Sequence, residues 1–201
     1  MARLQYLDPE GVIADRVRER RGGRLRPLDQ VLMHSPAMAA GWNTLLGAVR
    51  SETLLSDDVR ETVILRIAVL NTARYEWIAH VPLAVEAGLT DAQLAHLEKP
   101  VSPSPLTGPQ QLAVAYADAL TESCVVPQDL FDRALAHFGE QQLVELTVTV
   151  GAYNMVSRFI NALHVGEHDP ADGWPTHCTV PDGEGVPMCA ESALDDQEGV
   201  R

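Results

Sequence analysis

The stretch Asp57–Thr90, DDVRETVILRIAVLNTARYEWIAHVPLAVEAGLT, decides the fold. Val63, Ile64, Ile67, Ala68 and Leu70 recur at helical spacing, so the first part reads as a buried helix ending near Asn71-Thr72. A second helix runs from about Ala73 to Gly88, a residue suited to a left-handed C-cap. Ser56 is the expected N-cap of the first.

Glu61, Glu76 and His80 lie on these two helices. Placing carboxylates and an imidazole against an apolar face costs solvation energy unless they are paired. Glu76 and His80 stand four residues apart, so on a helix they share a face and can hydrogen-bond. A carboxylate that orients an imidazole is a proton-transfer device near neutral pH. The same pair also suits a structural ion pair. Glu61 has its own alternatives: an acid in the first helical turn is favoured electrostatically whatever its function, and Arg60 or Arg74 can pair with it. For His80 the alternative is a core histidine bonded to a carbonyl.

Outward from this stretch the pattern stays helical. Asp8–Arg21 reads as a first helix, followed by the basic link Arg20-Arg21-Gly22-Gly23-Arg24. Leu28–Met33 is a short second helix. Ser35 and Pro36 then supply an N-cap and a first-turn proline for a third, reaching about Ser51. Thr90 caps a short helix from Asp91 to Leu97, and residues 99–105, KPVSPSP, form a linker. Helices follow at Thr107–Glu122 and Pro127–Phe138, and a long one from Gly139-Glu140 to Leu163, with Gly151 a candidate break. Within it LVELTVTV, residues 143–150, is rich in β-branched residues, but the length and apolar spacing favour helix. The expected organisation is one all-α domain over residues 1–168 and an acidic, Pro/Gly-rich tail over 169–201, with Trp174 an anchor for the start of the tail.

Composition bounds the function. A chain of 201 residues with 46% hydrophobic content can bury one core. Its formal charge of −13 argues against a nucleic-acid partner, which calls for a basic surface. Nine acidic residues against one basic fall between Glu167 and Arg201, so the folded part is only mildly acidic. Cys124, Cys178 and Cys189 are too scattered for a disulfide framework. The N-terminal segment does not read as a signal peptide, and the most apolar stretch, Leu143–Ile160, contains Glu145, Asn154 and Arg158 and fails as a membrane span. A cytoplasmic protein with no membrane partner is expected. There is no glycine-rich phosphate loop after a strand and no G-x-S-x-G elbow. Glu76 and His80 with His34 or Glu61 are conceivable metal ligands, but neither HExxH nor zinc-spaced cysteines occur, so no metal is expected.

The chain resembles the carboxymuconolactone decarboxylase family, which includes the alkylhydroperoxidase D group. The resemblance rests on residues 3–7 (RLQYL), 32–36 (LMHSP), Arg60-Glu61, Tyr75-Glu76-Trp77 with His80 and Gly88, residues 115–118 (AYAD) and residues 153–159 (YNMVSRF). It implies an alkylhydroperoxidase D-like helical bundle. A faint internal echo, Tyr75-Glu76-Trp77 with His80 against Tyr153-Asn154-Met155 with Arg158, suggests two related helical halves. In the peroxidase branch a glutamate precedes a Cys-x-x-Cys pair, and a histidine follows the second cysteine by four residues. Setting Glu61 and His80 on that pattern puts Ala73 and Glu76 at the cysteine positions. Thiol peroxidase chemistry needs a low-pKa thiolate and usually a resolving partner, and these residues supply neither.

Three readings follow. The first is a cofactor-independent acid–base enzyme of lyase, decarboxylase or isomerase type, acting on a small organic acid or lactone. Here Glu76 orients His80, and Glu61 is the second proton carrier. Tyr75, Asn154 and Arg158 are the candidate substrate contacts, Arg158 as a carboxylate anchor because guanidinium binds carboxylates bidentately. Asn154, Arg158 and Asn161 equally suit a polar line between helices, and Tyr75 equally suits packing. The second reading is a peroxidase using another thiol, which requires Cys124 beside Glu61 and His80. The third is a non-catalytic binding or assembly protein. The resemblance also implies a closed symmetric homo-oligomer, trimer or hexamer.

Overall fold

A computed structural model describes residues 2–166, and the tail with Trp174, Cys178 and Cys189 lies outside them. Among the described residues eight helices follow one another: α1 Val12–Arg20, α2 Pro27–Leu32, α3 Pro36–Ser51, α4 Asp57–Leu70, α5 Arg74–Glu86, α6 Asp91–Glu98, α7 Gly108–Ser123 and α8 Gln128–Leu163. The all-α expectation holds, including residues 143–150, whose β-branched side chains are accommodated in α8. The break in α8 falls at Gly139, where φ of 71° departs from the helix, and Gly151 continues the helix unbroken.

The helix boundaries have local causes. The first helix starts at Val12, not Asp8, because Pro9 precedes Gly11, whose φ of 121° breaks the helical path. Asp8 instead accepts a hydrogen bond from Arg18 at 2.6 Å. Ser35 and Ser56 stand at the N-caps of α3 and α4 but make no side-chain cap bond. Thr90 does, accepting from the Gln93 N–H while the Gln93 side chain accepts from the Thr90 N–H, a capping box for α6. At the end of α5, Gly88 adopts φ of 94°, its N–H donates to Val85 and that of Leu89 to Ala84, the Schellman pattern that closes a helix.

The central element is α4. Val59 to Leu65, Ile67 and Ala68 are all buried, so the helix has no solvent face to speak of and must be surrounded. It packs on α5, α6, α7 and α8. A polar clamp fixes its register. Arg66 donates to Asp118 of α7 through Nε at 2.7 Å and Nη2 at 3.0 Å, and to the Leu97 carbonyl of α6 through Nη1 at 3.0 Å. Such bidentate pairing fixes geometry as well as adding energy. The pairs α4–α5 and α7–α8 thereby pack together, while α1, α2 and α3 lie along one side, α3 reaching α8 through Trp42 against Phe159.

Candidate functional site

Glu61 sits one turn into α4 and His80 in the middle of α5, which the Asn71–Ala73 turn folds back against α4. The fold brings their side chains together out of water, with Glu61 3% and His80 5% exposed. His80 Nδ1 lies 2.7 Å from Glu61 Oε2. A carboxylate can only accept, so Nδ1 carries the proton and Nε2 keeps its lone pair. Burial holds the imidazole pKa below its ordinary value, against the opposing pull of Glu61. The neutral, base-ready ring is therefore the resting form near pH 7.

The expected Glu76–His80 pairing is replaced. Glu76 is also buried, but its Oε2 lies 2.6 Å from Ser157 Oγ on α8. A helix offers its i,i+4 neighbour only when no better partner arrives from elsewhere. Here α4 delivers a carboxylate to His80 and α8 delivers a hydroxyl to Glu76. Burial raises the Glu76 pKa to about 8, with Ser157 and Arg50 opposing. Its second oxygen, Oε1, is buried without a hydrogen-bond partner among the described residues.

Two residues that sequence reasoning missed as site members complete the surroundings. Tyr153 of α8 meets the His80 ring edge-on, centroids 5.2 Å apart. Arg50, at the end of α3, donates from Nε to the Tyr153 hydroxyl at 2.9 Å. Arg60 lies 3.5 Å from the other Glu61 oxygen and pairs with Asp57 at 2.9 Å. An arginine in the last turn of a predominantly apolar helix was the one available signal for Arg50. It reads equally as a favourable C-terminal charge.

Of the predicted substrate contacts, Arg158 and Asn154 bond elsewhere. Arg158 is exposed and folds back on Asn154, reaching its carbonyl at 3.0 Å and its side-chain oxygen at 2.5 Å. Asn154 in turn donates to Thr121 of α7 at 2.9 Å and accepts from Asn71 at 3.0 Å. Asn161 donates to the Asn71 carbonyl at 2.7 Å. This polar line ties the α4–α5 turn to α7 and α8, the structural alternative of the two open in the sequence. Tyr75 sits near Asp29, Arg21 and Arg26, and burial pushes its hydroxyl pKa up to about 12. Cys124 caps the end of α7, exposed, whereas the Glu61–His80 contact is enclosed. Ala73 is buried at the start of α5. His34 is exposed and bonded to the Gln5 carbonyl at 2.8 Å.

Known proteins share this architecture. The fold matches the crystal structure of an alkylhydroperoxidase AhpD core, an uncharacterized peroxidase-related protein from Ralstonia eutropha JMP134. The TM-score is 0.70 at 16% identity, covering 85% of this chain and 93% of that one. It matches an uncharacterized peroxidase-related protein from Silicibacter sp. TM1040 with a TM-score of 0.69 at 13% identity, covering 82% and 90%. In sequence, the uncharacterized protein YnjA of Escherichia coli strain K12 is 30% identical over 148 residues, 73% of this chain and 74% of that protein. The carboxymuconolactone decarboxylase family model matches residues 36–119. The chain belongs to the carboxymuconolactone decarboxylase family, on an alkylhydroperoxidase D-like helical scaffold.

Proposed function

We propose that this protein is a cofactor-independent acid–base enzyme of lyase or isomerase type whose substrate is a small organic acid or lactone. The observation that carries the reading is the buried 2.7 Å contact between His80 Nδ1 and Glu61. Glu61 orients the ring and stabilises the imidazolium that forms when Nε2 takes a substrate proton. Glu76, kept neutral by burial, holds the second proton, bonded to Ser157 in the resting state. These roles exchange the ones expected from the sequence. Ala73 and Glu76 at the positions of the peroxidase cysteines, and the exposure of Cys124, speak against a thiol route. The same proposal includes a closed homo-oligomer.

The test is a panel of small lactones, β-keto acids and unsaturated acids, followed by loss of turnover in Glu61→Gln and His80→Gln. Positioned acid–base groups of this kind contribute roughly two to four orders of magnitude, and a loss of that size is expected with folding intact. The acid limb of the kcat/KM profile should fall below the imidazole's ordinary value of about 6.5, because burial disfavours the protonated ring. Undiminished turnover in both variants, or turnover abolished instead by Cys124→Ser, overturns the reading.

A further inference from the structure

Beside the Glu61–His80 pair the N-terminal helices gather an excess of positive charge. Asp29 of α2 is 2% exposed. Arg21 approaches it with Nε at 3.0 Å and Nη2 at 3.2 Å, and Arg20 with Nη2 at 3.8 Å. Arg20 Nε also donates to the Asn43 side chain. Arg50 lies within electrostatic reach of Arg20, Arg21, Asp29 and Glu61. Arg20 and Arg21 are basic groups held below their ordinary pKa by burial first, Arg20 to about 10 with Arg21 and Arg50 adding to the effect, and Arg21 against the opposing pull of Asp29. One aspartate thus pairs with two guanidinium groups, and a third, Arg50, lies within electrostatic reach. Arg60, Asp57 and Glu61 together return one negative charge. With His80 and Glu76 neutral, at least one positive charge is left uncompensated, before the exposed Arg26 is counted. A desolvated charge of that kind calls for a counter-ion.

Hydrogen bonding points the same way. Arg50 Nη1 is buried with no hydrogen-bond partner among the described residues. Tyr153 uses its oxygen to accept from Arg50, which leaves its proton for another acceptor. Two free donors, Arg50 Nη1 and the Tyr153 hydroxyl, match the two oxygens of a planar monoanion better than a tetrahedral dianion, which Glu61 would also repel. Arg20, 23% exposed at its side chain, is more accessible than Arg21 at 12%.

We propose that Arg20, Arg21 and Arg50, gathered around Asp29 beside the Glu61–His80 pair, bind the carboxylate of a monoanionic substrate. Arg20, Arg21 and Asp29 lie outside the residues matched by the family model, 36–119, so the site is built largely from this chain's own N-terminal helices. It takes the anchoring role that the sequence assigned to Arg158. The inference deepens the acid–base reading and relies on it for what happens to the bound anion. Its test uses binding alone, so the two can fail separately.

The probe is acetate, with acetamide as its neutral isostere and inorganic phosphate as the tetrahedral competitor, titrated into the full chain at constant ionic strength. The readouts are thermal shift and the arginine Nε–H resonances in nitrogen-15 spectra. Acetate should raise Tm and move the Arg50 resonance where acetamide does neither, and phosphate should bind more weakly than acetate. Charge-assisted hydrogen bonds are roughly twice as strong as neutral ones. Affinity should therefore drop roughly tenfold or more in Arg50→Gln and, should that variant fold poorly, in the partly exposed Arg20→Gln. His80→Gln should bind acetate as the natural sequence does, even with turnover lost. Equal response to acetate and acetamide, tighter binding of phosphate, or acetate binding unchanged in folded Arg20→Gln would each overturn the proposal. Any of these, alongside His80-dependent turnover, leaves the acid–base reading standing.

Discussion

Ser157 has one hydroxyl proton and two oxygens within reach, Glu76 Oε2 at 2.6 Å and the Tyr153 carbonyl at 2.8 Å. One proton cannot serve both. A protonated Glu76 resolves the count: it donates to Ser157 Oγ, which donates to the carbonyl. This agrees with the upward shift of the Glu76 pKa from 4.5 to about 8 by burial. The consequence for stability has a definite sign. Between those values the unfolded chain has lost the proton that the folded chain retains, so stability is fullest below about 4.5 and is lost as pH rises through 8. At about 1.36 kcal/mol per pK unit the span amounts to roughly 3–5 kcal/mol. Glu76→Gln keeps the shape and the neutral form, so its Tm should match the natural sequence near pH 5 and exceed it near pH 9. Melting curves across that range decide the matter: parallel pH profiles would mean that Glu76 is already ionised when folded.

Among the elements, the join between the α4–α5 turn and α8 involves two of the candidate substrate contacts. Asn154 binds the Asn71 side chain, Thr121 and the Val150 carbonyl, and Asn161 holds the Asn71 backbone. Those bonds cross three helices, whereas Arg158 is spent on its own helix at the surface. Asn154→Ala should cost about 1–3 kcal/mol, the usual size for stranding buried polar partners. Its turnover per folded molecule should be unchanged. Arg158→Ala, at an exposed position, should shift stability by less than about 0.5 kcal/mol. Denaturant melts and KM together discriminate: a raised KM with stability intact in either variant would return these residues to the substrate. Both roles looked the same in one dimension, because a polar line on an apolar helix shows what lies on a face and not what that face meets.

For the molecule as a whole, the helices were legible because their causes are local. A helical apolar pattern marked α4 as buried, Gly88 closed α5, and Thr90 opened α6. That Glu61, Glu76 and His80 call for partners in the interior was legible, since buried charge needs a reason. Who pairs with whom was not. His80 bonds a residue 19 positions away and Glu76 one 81 away, and Arg50 reaches Tyr153 across 103. Spacing along one helix holds no information about such contacts. The same separation of faces exposes a stripe on α8. Leu143, Leu146, Val150 and Tyr153 point inward, while Val144, Val148 and Met155 are 63%, 41% and 39% exposed, with Gly151 exposed between them. Positions i, i+4, i+7 and i+11 form one continuous helical face, apolar and flat at the glycine, suited to the same face of a second copy in a symmetric assembly. Val144→Glu with Val148→Glu would place like charges across that contact while leaving the inward residues untouched. Light scattering should therefore show the natural sequence as a single multimer and the double variant at lower mass, with helical content and Tm of the subunit core retained. A natural sequence that runs as a monomer at micromolar concentration, or a double variant of unchanged mass, removes this face from the assembly.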